Sequence, residues 1–265
     1  MNGGIKKMKE IKETTYKGTR ILLGNEKRKI VNSMIKYLVW KGYDEISIPV
    51  IQLQETFSGK VGKENNNMMF NFTDRGNRDI CLAPEYTAVI QKLVNTTFKN
   101  QKDVKLFYVQ ECFRGENPQS GRYRQFTQFG VEIINPTKSY LDELIDDASE
   151  LIKCFGVKGF EISRNVVRGL DYYKEGRGFE ISYDKLGSSK QICGGGEYEG
   201  GVGFAIGVDR LLKCNEEVEL SEPSFSKKDL EDAFESGRKY TRDAFDDNSW
   251  DFDYDDFESW FKFCI

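Results

Sequence analysis

VKLFYVQECFRGENPQSGRYRQFTQFGVEII, residues 104–134, is the stretch on which the fold turns. Two segments of alternating apolar and polar residues flank a polar loop, GENPQSGRY, and read as two long antiparallel strands joined as a hairpin. Arg114 and Glu116 stand where the first strand ends, and Arg122 and Arg124 where the second begins, so three guanidinium groups and a carboxylate come to one mouth. Planar guanidinium forks pair with phosphate oxygens and stabilise charge developing on them, which suits a polyphosphate ligand. On this loop alone an exposed, solvated hairpin fits equally well.

Upstream, residues 25–40 place Ile30, Met34 and Leu38, with Val31 and Ile35, on one stripe of an amphipathic helix that Gly42 stops. YDEISIPVIQL alternates Ile46, Ile48 and Val50 up to the proline-limited end of an edge or interface strand. MMFNFTDRGNRDICLAP reads as a second hairpin about a DRGN turn, and residues 86–98 as a helix. Downstream, SYLDELIDDASELIKCFG reads as a helix closed by Gly156. Short strands follow at 159–163 and 177–183, then a glycine-rich segment from Gly194 to Gly207 runs into VDRLLKCN. Many antiparallel strands with helices before and after them predict an α+β fold, a sheet of about six strands flanked by helices. Residues 221–265 differ in kind. From Glu222 onward 13 acidic and 6 basic side chains give a net charge of −7, interleaved with aromatics, against +3 for the preceding body. A catalytic domain over 1–220 and an acidic, aromatic-rich segment over 221–265 are expected.

Composition excludes several chemistries. With no histidine among 265 residues, imidazole general-base catalysis, the usual serine or cysteine triads and His-ligated metal sites are ruled out. The six cysteines are tens of residues apart and form no CxxC pair, so no metal site is expected from them. No apolar run approaches the length that spans a bilayer, and the lysine-rich start is unlike a signal peptide, so a cytoplasmic protein is expected.

FRGENPQSGRYRQFTQFGVEII resembles motif 2 of class II aminoacyl-tRNA synthetases, and in detail that of the histidyl family. RGLDYY at 168–173 and GGGEYEGGVGFAIGVDRLL resemble the two histidyl signatures, the second running into motif 3. KGYDEISIPVIQ is similar to motif 1, LAPEYTA to the amino-acid-binding strand, and KGTRILL to the family's N-terminal segment. The matches follow the family's order over most of residues 17–213.

The resemblance implies ATP and Mg2+ as the nucleotide substrate, and histidine, the tRNA acceptor stem and a second copy of the chain, paired through residues 28–52, as partners. It assigns catalysis to Arg114, Arg168 and Arg210, with Arg114 on the α-phosphate, Arg168 neutralising it during attack and Arg210 packing over the nucleotide. Glu116 is assigned to the adenine, and Arg122 and Arg124 to the phosphates or the acceptor end. Glu85, Thr87 and Gln128 would hold the substrate amino group, and Glu132, Tyr173 and Tyr198 would surround the imidazole. Tyr172 and Phe129 read as core aromatics.

Departures fall at Ile21, Ala83, Thr127 and Glu197, where the family usually has Asp, Arg, His and Arg. They leave the ATP arginines intact and bear on amino-acid identity. Only 54 positions separate Arg114 from Arg168, too few for the family's insertion domain, and an acidic segment follows motif 3 where an anticodon-binding domain is usual. The alternatives are a histidine-binding regulator, like the synthetase-derived subunit of ATP phosphoribosyltransferase, or a ligase acting on a non-tRNA acceptor.

Overall fold

The structure is a computed structural model that describes residues 9–13, 15–60, 67–119, 121–167, 172–186 and 190–214. The chain divides into two compact units, Met1–Leu220 and Ser221–Ile265, and every described residue belongs to the first. The acidic, aromatic-rich segment expected over 221–265 lies outside the described residues, as do Arg168 and most of RGLDYY.

Helix α1 (Glu26–Trp40) buries Ile30, Met34 and Leu38, the stripe read from their four-residue spacing. It ends where Gly42 takes a left-handed turn at φ +77°, letting the Tyr43 and Gly42 amides donate back to the carbonyls of Leu38 and Val39. The expected strand beyond it breaks at Pro49 into two pieces that join different sheets. β3 (Asp44–Glu45) pairs parallel with β7 (Val104–Phe113), whereas β4 (Ile51–Leu53) pairs antiparallel with β6 (Asp79–Leu82). β6 forms the expected second hairpin with β5 (Asn71–Thr73), its turn held by Asp74 accepting from the amides of Gly76 and Arg78. A separate ribbon pairs β1 (Lys9–Ile11) with β2 (Ile21–Leu23).

The main sheet has seven strands in the order β3-β7-β8-β12-β11-β10-β9, antiparallel except at β3. Its centre is the hairpin of β7 and β8 (Gln125–Ile134), in register from Val104↔Ile134 to Phe113↔Gln125. β9 (Glu161–Val166) and β10 (Tyr173–Ser182) extend beyond the short strands expected. The glycine-rich segment is itself a hairpin of β11 (Gln191–Tyr198) and β12 (Gly201–Gly207), with Gly200 at φ +79° in its turn. β3 is parallel because the chain crosses the small sheet and α2 (Thr87–Val94) before returning as β7, a crossover that a hairpin cannot replace.

One face of the sheet carries Phe107, Phe129, Val131, Phe179 and Phe204, which pack under α1, α3 (Leu141–Lys153) and α4 (Val208–Cys214) as the larger core. Phe129 stacks on Phe107 with centroids 5.9 Å apart, the core role expected of it. The opposite face holds the candidate site.

Candidate active site

Strand alternation sets which side chains reach the site face, and along two cross-strand rows half of the positions are glycine. Tyr108, Gly130, Ala205, Gly194 and Glu180 stand in one row; Leu106, Glu132, Gly203, Gly196 and Gly178 stand in the next. The floor is thus rich in glycine, and larger side chains lie over it. A Cβ at Gly130 would fall inside the Tyr108 ring, one at Gly201 inside the Tyr198 ring, and one at Gly203 on the Glu132 carboxylate. These glycines provide the room in which those three side chains lie.

At one end of the floor Glu132, fully buried, accepts hydrogen bonds from Thr87 Oγ1 and Tyr198 Oη, both at 2.8 Å. Burial pushes its carboxyl up to about 8, against the pull of the two hydroxyls and with the help of the nearby Glu85 charge. Glu85 accepts from the amides of Thr87 (2.8 Å) and Ala88 (3.0 Å), capping α2, and from Tyr172 Oη (3.0 Å). Burial raises its proton affinity too, opposed by these bonds and by Arg114. The rings of Tyr172, Tyr173 and Tyr198 enclose the pocket, with centroid separations of 4.7 to 6.5 Å. Gln128 stands two rows from Glu132, beyond the Gly130 row, and accepts from Cys112 Sγ at 3.2 Å.

Carboxyls buried in tyrosine surroundings suit a small cationic or N–H-bearing ligand, which supplies donors and a positive charge. Because the folded Glu132 carboxyl is raised far above an ordinary glutamate, ionising it opposes folding. The stability that protonated Glu132 contributes to the ligand-free protein is therefore full below its ordinary 4.5 and is lost as pH rises to about 8. Thermal melts across that range check this; Glu132→Gln, which cannot ionise, should flatten the slope.

At the other end lie the arginines. Arg114 donates through Nε to the Pro84 carbonyl at 2.9 Å, and its Nη1 stands 4.0 Å from Glu116. Arg122 pairs with the buried Glu116. Arg210, on α4, donates from Nε to the Gly121 carbonyl (3.1 Å) and from Nη1 to that of Gln191 (2.6 Å). Burial and the neighbouring charges of Arg122 and Arg114 lower its proton affinity, so three guanidinium groups from different segments share one locality with net positive charge. Such a cluster is costly without an anion and favourable with one. Arg124 is directed elsewhere: Nε donates to the Glu116 carbonyl and Nη1 to that of Lys17, and its guanidinium lies over Tyr16.

Among the described residues, then, the structure brings Arg114, Glu116, Arg122 and Arg210 together. It joins Glu85, Thr87, Glu132 and Tyr198 in one hydrogen-bonded network, against which Tyr173 packs. Tyr172, read from sequence as a core aromatic, is part of that network. Tyr108 and Cys112 were missed, although both fall on the same β7 face as Arg114 by simple alternation. Of the departures, Thr127 and Glu197 lie on alternate positions from the site residues of their strands. Thr127 bonds Glu111, and Glu197 pairs with Arg177 and Ser139. Ala83 is fully buried in the second core together with Tyr86, whose hydroxyl donates to the Glu111 carbonyl. Among the described residues no group of three or more His, Cys, Asp or Glu side chains is placed to hold a metal.

An antiparallel sheet with a motif 2 hairpin at its centre and a motif 3 strand and helix beside it, presenting arginines and a carboxylate pocket on one face, defines a class II aminoacyl-tRNA synthetase core. The family model described as histidyl-tRNA synthetase matches residues 24–163, and the chain belongs to that family. The histidine–tRNA ligase of Methanosarcina acetivorans is 29% identical over 308 aligned positions, covering 74% of each chain. That alignment is longer than the 265-residue chain, so the relative carries sequence this chain does without. Apo histidyl-tRNA synthetase of S. aureus shares the fold with a TM-score of 0.65 at 24% identity, covering 88% of this chain and 82% of that one. A Bacillus halodurans ATP phosphoribosyltransferase regulatory subunit/histidyl-tRNA synthetase does so with a TM-score of 0.64 at 17% identity, over 88% of this chain and 91% of that one.

Proposed function

We propose that this chain is a histidine–tRNA ligase that joins histidine to the α-phosphate of ATP and passes the activated residue to the acceptor end of tRNA. The observation that carries this reading is the common glycine floor, with an arginine cluster at one end and a carboxylate–tyrosine pocket at the other. Histidine would enter with its imidazole toward Glu132 and Tyr198, its ammonium toward Glu85, Thr87 and Gln128, and its carboxylate toward the arginines. A carboxylate oxygen then bonds to the α-phosphorus, the bond to the bridging oxygen breaks, and pyrophosphate leaves with the electron pair. The nucleophile is already ionised, so the chain needs no general base; it acts by positioning the reactants and stabilising charge. Arg114 and Arg210 would face the phosphates, Glu116 the adenine, and Arg122 the loop side of the nucleotide and the acceptor end. Arg168 takes the remaining α-phosphate role by resemblance alone. Mg2+ would arrive as part of the nucleotide substrate, held mainly by phosphate oxygens.

Histidine-dependent exchange of pyrophosphate into ATP, followed by charging of tRNA, tests the reading. Exchange with no amino acid would leave a histidine-binding regulator; exchange without tRNA charging would leave a ligase with another acceptor. Retention of Arg114, Glu116 and Arg210 in one cluster favours the enzyme, since a sensor of histidine alone needs none of them.

We also infer a homodimer through the motif 1 unit, where Val39, Trp40 (52% exposed), Ile51 (56%) and Leu53 leave large apolar groups at the surface. Trp40→Glu is expected to shift the sedimentation coefficient from dimer to monomer; an unchanged monomeric value in both proteins would refute this. No helix among the described residues is long and apolar enough to cross a membrane, and a cytoplasmic setting is part of the proposal.

A further inference from the structure

We propose that Arg20 and Asp209 are a positioning pair for the nucleotide arginines, and that the strap at residues 16–20 clamps the motif 2 loop against α4. The inference rests on ATP being the ligand of the arginine cluster.

Asp209 immediately precedes Arg210 on α4 and is buried. Its carboxylate is divided between two elements: Oδ2 accepts the Thr127 amide at the start of β8 at 2.7 Å, and Oδ1 pairs with Arg20. The Arg20 guanidinium also lies 3.4 Å above the ring of Tyr123, the residue between Arg122 and Arg124. The strap and loop meet again one residue on, where the Arg124 amide donates to the Gly18 carbonyl at 2.8 Å and its side chain reaches the Lys17 carbonyl at 3.2 Å. Gly18 sits at φ +90°, and a Cβ there would lie 2.8 Å from both Pro118 and Arg124, so only glycine lets the strap run this close to the loop.

These contacts join three regions that are distant in sequence: the strap, the loop carrying Arg122 with the start of β8 that follows it, and the helix carrying Arg210. The residues next to Arg122 and Arg210 in sequence, Tyr123 and Asp209, are thereby tied to one guanidinium group. The pair is largely desolvated, with side chains 16% and 6% exposed, so removing one partner leaves the other charge buried and free to draw its neighbours out of place. A merely structural pair would lower the melting temperature while leaving the kinetic constants of the folded fraction alone. A positioning pair weakens ATP selectively.

Arg20→Gln in the full chain is the test, read as the ATP Kd by calorimetry and as the KM for ATP and for histidine in pyrophosphate exchange. We expect ATP Kd and KM to rise about tenfold, equivalent to about 1.4 kcal/mol, with the histidine KM unchanged within about twofold. Arg20→Lys should restore part of the affinity, and Asp209→Asn should reproduce the loss. Should Arg20→Gln fail to fold, Tyr123→Leu removes only the stacking and is expected to weaken ATP about threefold, the scale of an exposed cation–π contact. An ATP Kd within about twofold of wild type in a folded variant, or equal rises in both KM values, overturns the proposal. Since Kd is read without turnover, a wild-type chain that binds ATP yet shows no exchange refutes the assigned reaction and still reports on the pair. A wild-type chain that does not bind ATP refutes both.

Discussion

Arg114→Gln is expected to reduce histidine-dependent pyrophosphate exchange about 10²–10³-fold in kcat, the scale seen when one preorganised donor to a developing charge is removed. Glutamine retains a hydrogen-bonding group near the Pro84 carbonyl but cannot supply the charge or the forked geometry of the guanidinium. If Arg114 acts mainly in the transition state, kcat and kcat/KM should fall together while the KM values for ATP and histidine move little. The side chain lies over Phe126 at a half-buried site, so the melting temperature should change modestly. A fall of less than tenfold in a folded variant would remove Arg114 from the catalytic set.

Gly203→Ala should act at the other end of the floor. The new methyl group would occupy the position of Glu132 Oε2, and the carboxylate could yield only by giving up its bonds to Thr87 and Tyr198. Overpacking of this kind costs about 1–3 kcal/mol, and here it also displaces the group assigned to the imidazole. We expect a histidine KM raised more than about tenfold, in keeping with losing a buried hydrogen-bonding partner, and an ATP Kd close to wild type. Gly207→Ala, on the same strand and face, provides the stability control. Its Cβ would meet Arg210 at 3.6 to 3.7 Å, ordinary contact distance, and should leave the melting temperature nearly unchanged. Equal destabilisation by both substitutions would contradict the packing argument.

The central hairpin was legible in the sequence almost to the residue, because ten-residue strands with one buried face leave a strong alternation. The glycine segment reads from sequence only as a closely packed strand and turn beside a ligand, not as a full hairpin. Residues without side chains carry no period, and β11 and β12 are defined by the rows beside them. The motif 1 segment misled for another reason, since its alternation spans Pro49 but its two halves answer to different sheets. β10 begins at Tyr173, earlier than its apolar residues suggest, because it pairs there with Tyr198 across the pocket. In the site, charged groups declared themselves by type and motif. Tyr172 did not, because its role depends on Glu85, 87 residues away, and neither did the Arg20–Asp209 pair, which spans 189 positions.

The glycine-rich floor also limits how this pocket can change over generations. A cavity lined by large side chains can be enlarged by trimming one of them, whereas glycine has nothing left to trim. Every substitution at Gly130, Gly201 or Gly203 adds atoms where an aromatic ring or a carboxylate already lies. Drift at these three positions therefore runs in one direction, toward a smaller or broken cavity. A roomier substrate range would have to be won from the walls, by shortening Tyr172, Tyr173 or Tyr198.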